Sequence, residues 1–261
     1  MLPVWLTDTI TTDLREAAHY TLLWGLEGMV IRSVGKNGQR VPHVNEAQIR
    51  HHLDEHKLLL PAVEPGLLEC SSDDIALWKN QLATFSETLG FCTRVGVPRI
   101  VISAFTDGDK EKTPQRAVDA LTEAAAKAER HGLQILVRNH RDHAHSSADD
   151  LLALVKRAKQ PALGIAWDLS ESQASGVDAD SVVSDLLPHL GLMYVSGEAI
   201  TEDDEWTNQV LEELFAGGFS GPVCLRFDPE QGTSGALRAS TTFLRTLQQL
   251  RKSGTAGKTG R

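Results

Sequence analysis

Short, unbroken apolar runs recur along the chain, each preceded by an amphipathic stretch that ends at a glycine. Ile100-Val101-Ile102 and Ile135-Leu136-Val137 show the type: no polar residue alternates with the apolar ones. A strand with one wet face would read apolar-polar-apolar, so these runs indicate strands covered on both sides, the condition of parallel strands packed under helices. The glycines in Trp24-Gly25-Leu26, Val95-Gly96-Val97, His131-Gly132-Leu133, Leu190-Gly191-Leu192 and Gly218-Phe219 are read as helix stops, where a left-handed residue closes the last turn. Asp13 with Glu16 and Ser147 with Asp150 have capping-box spacing, and Thr113-Pro114 places proline at a first helical position.

These signals predict strands near residues 3–7, 28–33, 58–63, 99–104, 134–138, 163–168, 192–196 and 222–227. Helices are expected near 13–24, 45–55, 73–95, 114–131, 147–159, 178–187, 205–217 and 235–252. Strict alternation of about eight βα units predicts a single α/β domain, a (β/α)8 TIM barrel over residues 1–252. A doubly wound open sheet would carry a glycine-rich phosphate turn after its first strand, whereas Thr7-Asp8-Thr9-Ile10-Thr11-Thr12 has no glycine. The Gly- and Lys-rich end, residues 253–261, reads as a disordered tail.

Composition adds limits. Length suits one barrel, and a net charge of -9 repels nucleic acid and anionic membrane. Cys70, Cys92 and Cys224 have neither zinc spacing nor an even disulfide framework, and no apolar run is long enough to span a bilayer. A cytoplasmic protein with no membrane or nucleic-acid partner is expected; oligomeric state is not legible.

Barrel chemistry sits where strands end at their C-termini. There the sequence offers Asp8, Arg32, Glu64, Phe105, Arg138 with His140, Asp168 with Glu171, Glu198, and Arg226 with Asp228. Among these the motifs Val137-Arg138-Asn139-His140, Gly164-Ile165-Ala166-Trp167-Asp168, Val195-Ser196-Gly197-Glu198 and Val223-Cys224-Leu225-Arg226 fall in a telling order. In them the chain resembles the xylose isomerase-like barrels, a superfamily of sugar epimerases, sugar-phosphate isomerases, inosose dehydratases and apurinic endonucleases. They are similar to that family's Glu-Asn-His, Gly-Leu-x-x-Asp, His-x-Gly-Glu and Leu-x-Leu-Glu strand ends. The resemblance implies a divalent cation held by Glu, Asp, His and Glu, positions that here become Arg138, Asp168, Val195 and Arg226. Only Asp168 matches. A guanidinium has donors alone and stays protonated, so it cannot ligate a cation. The expectation is a degenerate metal site with no metal and no cofactor.

Two readings of the arginines stay open. In one, Arg138, Asp168 and Arg226 form a fixed salt-bridge cluster and the barrel is a non-catalytic binding or regulatory protein. In the other, an isomerase- or epimerase-like barrel takes a small, carbohydrate-like, anionic ligand. Arg138, Arg226, Glu64 and Glu171 would then bind it, and Asp168, His140 or Glu198 would act as acid or base. Weaker signals are the loop His140-Arg141-Asp142-His143-Ala144-His145, read as solvated, and His52 with His56 on the second helix, read as a polar face. Trp167, adjacent to Asp168, is expected to point away from the pocket.

Overall fold

A computed structural model describes residues 1–174, 183–200 and 204–256. Eight parallel strands close a barrel: β1 (Leu2–Leu6), β2 (Gly28–Ile31), β5 (Leu59–Val63), β6 (Arg99–Ile102), β7 (Gln134–Arg138), β8 (Leu163–Asp168), β9 (Leu190–Ser196) and β10 (Pro222–Arg226). Closure comes from β1, which pairs with both β2 and β10. Around the barrel run α1 (Leu14–Leu23), α2 (Glu46–His56), α3 (Ile75–Val95), α4 (Thr113–Glu129), α5 (Ala148–Ala158), α6 (Leu169–Ala174), α7 (Val183–Leu186), α8 (Glu205–Ala216) and α9 (Gly232–Ala256). The chain is a single (β/α)8 TIM barrel. The expected helix near 178–187 falls partly outside the described residues; of the expected tail, residues 253–256 are a correction, since they continue α9, and residues 257–261 lie outside the described residues.

Strand parity divides the core in two. Val4, Leu6, Val30, Ala62, Val101, Leu136, Ala166, Leu192, Tyr194 and Cys224 fill the barrel interior. Their strand neighbours, such as Trp5, Met29, Ile135, Trp167 and Val195, pack outward against the helices. That parity corrects one alignment. Val195, matched above to a family histidine, faces the helix layer, and Tyr194 faces inward. Successive strand residues point to opposite faces, so an offset of one residue exchanges pocket for core.

Local chemistry explains the element ends. Ser147 and Asp150 form the full reciprocal capping box at α5. At α1, Asp13 accepts from Arg15 and Glu16 N–H, but the Glu16 carboxylate accepts from Thr11 Oγ1 instead of closing the box. Gly96 ends α3 with φ 84°, the left-handed stop expected of it. Gly191 is a correction: it lies inside β9, not after a helix, and a Cβ there would meet Leu136 Cδ2 at 2.4 Å. Any larger residue there would have to displace the Leu136 side chain inside the barrel.

One element had no sequence signal. Between β2 and α2 a two-residue hairpin, β3 (Ser33–Val34) with β4 (Gln39–Arg40), folds toward the mouth. It delivers Arg40 onto the loop after β5, so closely that a Cβ on Gly66 would lie 1.7 Å from the Arg40 guanidinium. Beside it, the loops after β5 and β6 are bonded by Ser103 N–H to Leu67 O, Phe105 N–H to Leu68 O and Thr106 N–H to Cys70 O. Leu68 and Phe105 both hold left-handed φ values (60° and 72°) and are fully buried. Bulky residues persist in that region only where surroundings over-determine them, as the cross-loop hydrogen bonds and full burial do here.

Candidate functional site

The C-terminal strand ends bring eight charged side chains into one alternating chain. Arg32 Nε bonds Asp8 at 2.8 Å, and its other arm lies 3.9 Å from Glu64. Glu64 is 3.3 Å from Arg138, which holds Asp168 at 2.7 Å. On the other side of Asp168, Arg226 is 3.0 Å away; it also reaches Glu171 at 3.4 Å, and Glu171 meets Arg141 at 2.9 Å. Four carboxylates and four guanidinium groups thus balance. Asp168 is at the centre: both oxygens accept from arginine, and its side chain is 0% exposed.

Neighbours lock this chain in place. Asn139, fully buried, accepts from Asp168 N–H at 2.8 Å and donates to Asp168 O at 3.0 Å, clamping the end of β7 to that of β8. Its amide also donates to Ser172 Oγ, which accepts from outward-facing Trp167 as well. Tyr194 donates its hydroxyl to Glu64, and the Arg138 guanidinium lies 4.3 Å from the Tyr194 ring centroid. Arg138 is therefore held by two carboxylates and an aromatic face.

The electrostatics follow. Burial works to lower the Arg138 pKa, yet the charges of Glu64 and Asp168 outweigh it and raise the pKa above its ordinary value. Burial, then Glu64, pushes the Tyr194 phenol well up, so it stays a neutral donor. For Glu171, burial alone would raise the pKa, but hydrogen bonds from the Arg141 side chain and N–H, with the Arg226 charge, bring it down to about 2. A carboxylate depressed on folding stabilises the native state fully above its unfolded value of 4.5, and that contribution is lost as pH falls toward 2. It amounts to about 3 kcal/mol at neutral pH. Urea unfolding of Glu171→Gln should show a loss of that order at pH 7, shrinking steadily below pH ~4.5. A pH-independent gap would show that Glu171 is not held ionised by its arginines.

The residues singled out from sequence separate into three places. Arg138, Asp168, Arg226, Glu64 and Glu171 converge in the ion chain. His140 lines a cleft of about 420 Å³ above it, together with Arg32, Arg40, Arg138, His143 and Arg226. His140 and His143 stack with ring centroids 4.4 Å apart, and burial, followed by His140's charge, lowers the His143 pKa. Glu198 is exposed, accepts from Gln231, and lines a different recess with Ser196, Thr9 and Asp228. Arg32 and Arg226 border both spaces. His145 leaves the His-rich loop altogether: it is buried, with Nδ1 2.8 Å from Ala104 O.

Sequence reasoning assigned no role to Tyr194 or Arg141. Tyr194 had a signal, a hydroxyl within an apolar strand that needs a partner when buried; the one-residue offset at Val195 concealed it. Arg141 had none, because nothing in a loop sequence shows where a long side chain turns.

A family model for the xylose isomerase-like TIM barrel matches residues 24–247. The chain belongs to that family. No curated protein matches it in sequence. Among solved structures, an L-ribulose 3-epimerase superposes with TM-score 0.82 at 11% identity, covering 98% of each chain. The 3-keto-D-glucoside 4-epimerase YcjR from E. coli superposes with TM-score 0.76 at 18% identity, over 94% of this chain and 99% of that one. A fusion of a xylose isomerase-like TIM barrel with 4-hydroxyphenylpyruvate dioxygenase gives 0.71 at 18% identity; the match covers 95% of this chain and 44% of the fusion. At such identities the likeness shows the fold.

The donor set at the mouth does not fit the divalent cation of xylose isomerase-like barrels. Arg138 and Arg226 stand where the resemblance leads one to expect two ligands, and both oxygens of Asp168 are taken by them. A cation there would face guanidinium groups in a poorly solvated site, a repulsion of several kcal/mol.

Proposed function

We propose that this barrel binds a small, polyhydroxylated anion of the sugar-acid or sugar-phosphate class at its mouth, without a divalent metal. The observation that carries the reading is the layering of charge. The carboxylates lie deep, with Asp168 0% and Glu64 5% exposed, while Arg32 and Arg226 reach the cleft at 30% and 21%. Above them the cleft is lined by the two histidines and by Arg40, which pairs with a carboxylate on this wall, Glu69, at 2.7 Å. The acidic half of the ion chain thus orients the arginines, and the surface a ligand meets is rich in N–H groups suited to oxyanions. The carbohydrate class rests on the fold neighbours, an L-ribulose 3-epimerase and a 3-keto-D-glucoside 4-epimerase.

Binding is favoured over turnover because the best-placed carboxylate, Asp168, offers no free oxygen to a substrate proton. Isomerisation or epimerisation keeps one specific support: the His140 imidazole on the cleft wall, stacked on His143. A cytoplasmic setting accords with three unpaired cysteines, and among the described residues no helix is long and apolar enough to cross a membrane.

The test is a thermal-shift and calorimetric screen of EDTA-treated protein with D-gluconate, D-glucuronate, D-glucose 6-phosphate and D-ribose 5-phosphate, against neutral D-glucose and D-ribose. At least one acidic sugar is expected to raise Tm, by mass action, where the neutral ones do not. Arg40→Ala, outside the ion chain and half-exposed, should weaken that binding roughly 10- to 100-fold, the loss of one charged hydrogen bond. Equal response to neutral sugars, or indifference to Arg40→Ala, overturns the anion reading. Deuterium uptake from D2O by any bound sugar would move the assignment to catalysis by His140.

A further inference from the structure

We infer that α2 carries a transition-metal site formed by His51, His52 and Glu55, with His56 beside it, independent of the barrel mouth. Helical spacing places Glu55 between the two histidines, at i+4 from His51 and i+3 from His52. Its Oε2 lies 3.4 Å from His51 Nε2, 3.9 Å from His52 Nδ1 and 3.5 Å from His56 Nε2. The candidate ligand atoms of His51, His52 and Glu55 all lie within 4.8 Å of one another. Zinc–nitrogen and zinc–oxygen bonds of ~2.0–2.1 Å put tetrahedral ligands ~3.4 Å apart, so the side chains stand near coordination distance already.

A second observation points to a ligand. His52 Nδ1 is buried and has no hydrogen-bond partner among the described residues, although it faces the Glu55 carboxylate. A buried ring nitrogen left unsatisfied is costly, and a bound cation would satisfy it. The polar sequence around His52 and His56 suggests only a solvated face; Glu55's position and the burial of that one nitrogen give the face a geometry.

Ligand chemistry sets the class of ion. Imidazole with a single carboxylate suits zinc, nickel or copper, whereas magnesium and calcium prefer all-oxygen shells. Three protein ligands leave a coordination position for water, for His56 after a rotamer change, or for an incoming group.

Calorimetry on untagged, EDTA-treated full-length protein at pH 7.5 tests the site with zinc and, as control, magnesium. Zinc is expected to bind with one equivalent and magnesium not at all. The double variant His51→Ala/Glu55→Ala alters two exposed side chains, so the fold should persist by circular dichroism. It is expected to weaken zinc binding at least tenfold. NMR of the ring nitrogens should show His51 and His52 shifting with zinc in the parent protein, a readout that does not depend on the variant. Absence of zinc binding overturns the inference. So does undiminished affinity in the double variant, which would place the ion elsewhere, the mouth included.

Discussion

Asp168→Asn is expected to destabilise the protein by about 3–5 kcal/mol, the cost of removing one partner from a buried ion pair. The side chain is fully buried and receives both Arg138 and Arg226. Asparagine keeps the shape but not the charge, so two guanidinium groups lose the group that compensates their desolvation. The loss is bounded because Arg138 keeps Glu64 at 3.3 Å and Arg226 keeps Glu171 at 3.4 Å. For a chain of this length the cost corresponds to a fall in Tm of roughly 6–15 °C. The same experiment separates two roles. A carboxylate kept for proton transfer could be replaced by its amide with little effect on stability, because catalytic groups need free access more than bonded partners. A measured loss below about 1 kcal/mol would therefore remove Asp168 from the centre of the ion chain and return it to the list of acid–base candidates. Chemical denaturation at pH 7, compared with a double-mutant cycle through Arg138→Met, provides the number.

The fold was legible because its signals are local. Unbroken apolar runs such as Ile135-Leu136-Val137 set strand positions, and Ser147 with Asp150 shows a helix start whatever lies around it. The β3–β4 hairpin was not legible: Ser33-Val34 and Gln39-Arg40 are too short and polar to leave a period. Yet that hairpin carries Arg40 to the cleft. At the mouth, sequence order placed Arg138, Asp168 and Arg226 on converging strand ends, and the structure brings them together. What order alone could not give is depth and saturation. That both oxygens of Asp168 are consumed, that Glu198 faces a separate recess, and that Arg32 and Arg141 extend the ion chain at either end depend on side-chain reach across different strands. Parity was decisive in one place. The motif Val195-Ser196-Gly197-Glu198 matches the family histidine to Val195 by order alone, whereas in β9 Val195 faces the helix layer and Tyr194 the interior.

The double variant Arg138→Glu/Arg226→Glu is expected not to fold at neutral pH without a divalent cation, and to regain structure in millimolar manganese or cobalt. In the parent protein the mouth holds four positive and four negative groups. The exchange leaves two guanidinium groups, Arg32 and Arg141, toward the ends of the ion chain, and raises its carboxylates from four to six. Like charges a few ångströms apart cost several kcal/mol in a partly dry site, and more than one such pair forms. The sum exceeds the 5–15 kcal/mol that holds a typical domain together only if no counter-charge arrives. A divalent cation supplies it, and metal that binds only the folded state adds its binding free energy to folding. The unfolding transition in EDTA and in manganese, followed by circular dichroism, decides the matter. Rescue by manganese but not by equimolar sodium would mean that the Arg138 and Arg226 guanidinium groups supply a counter-charge that a divalent cation can replace. Folding that is indifferent to metal would mean instead that the mouth is wet enough to tolerate uncompensated carboxylates, and that Arg138 and Arg226 do not by their charge exclude a cation.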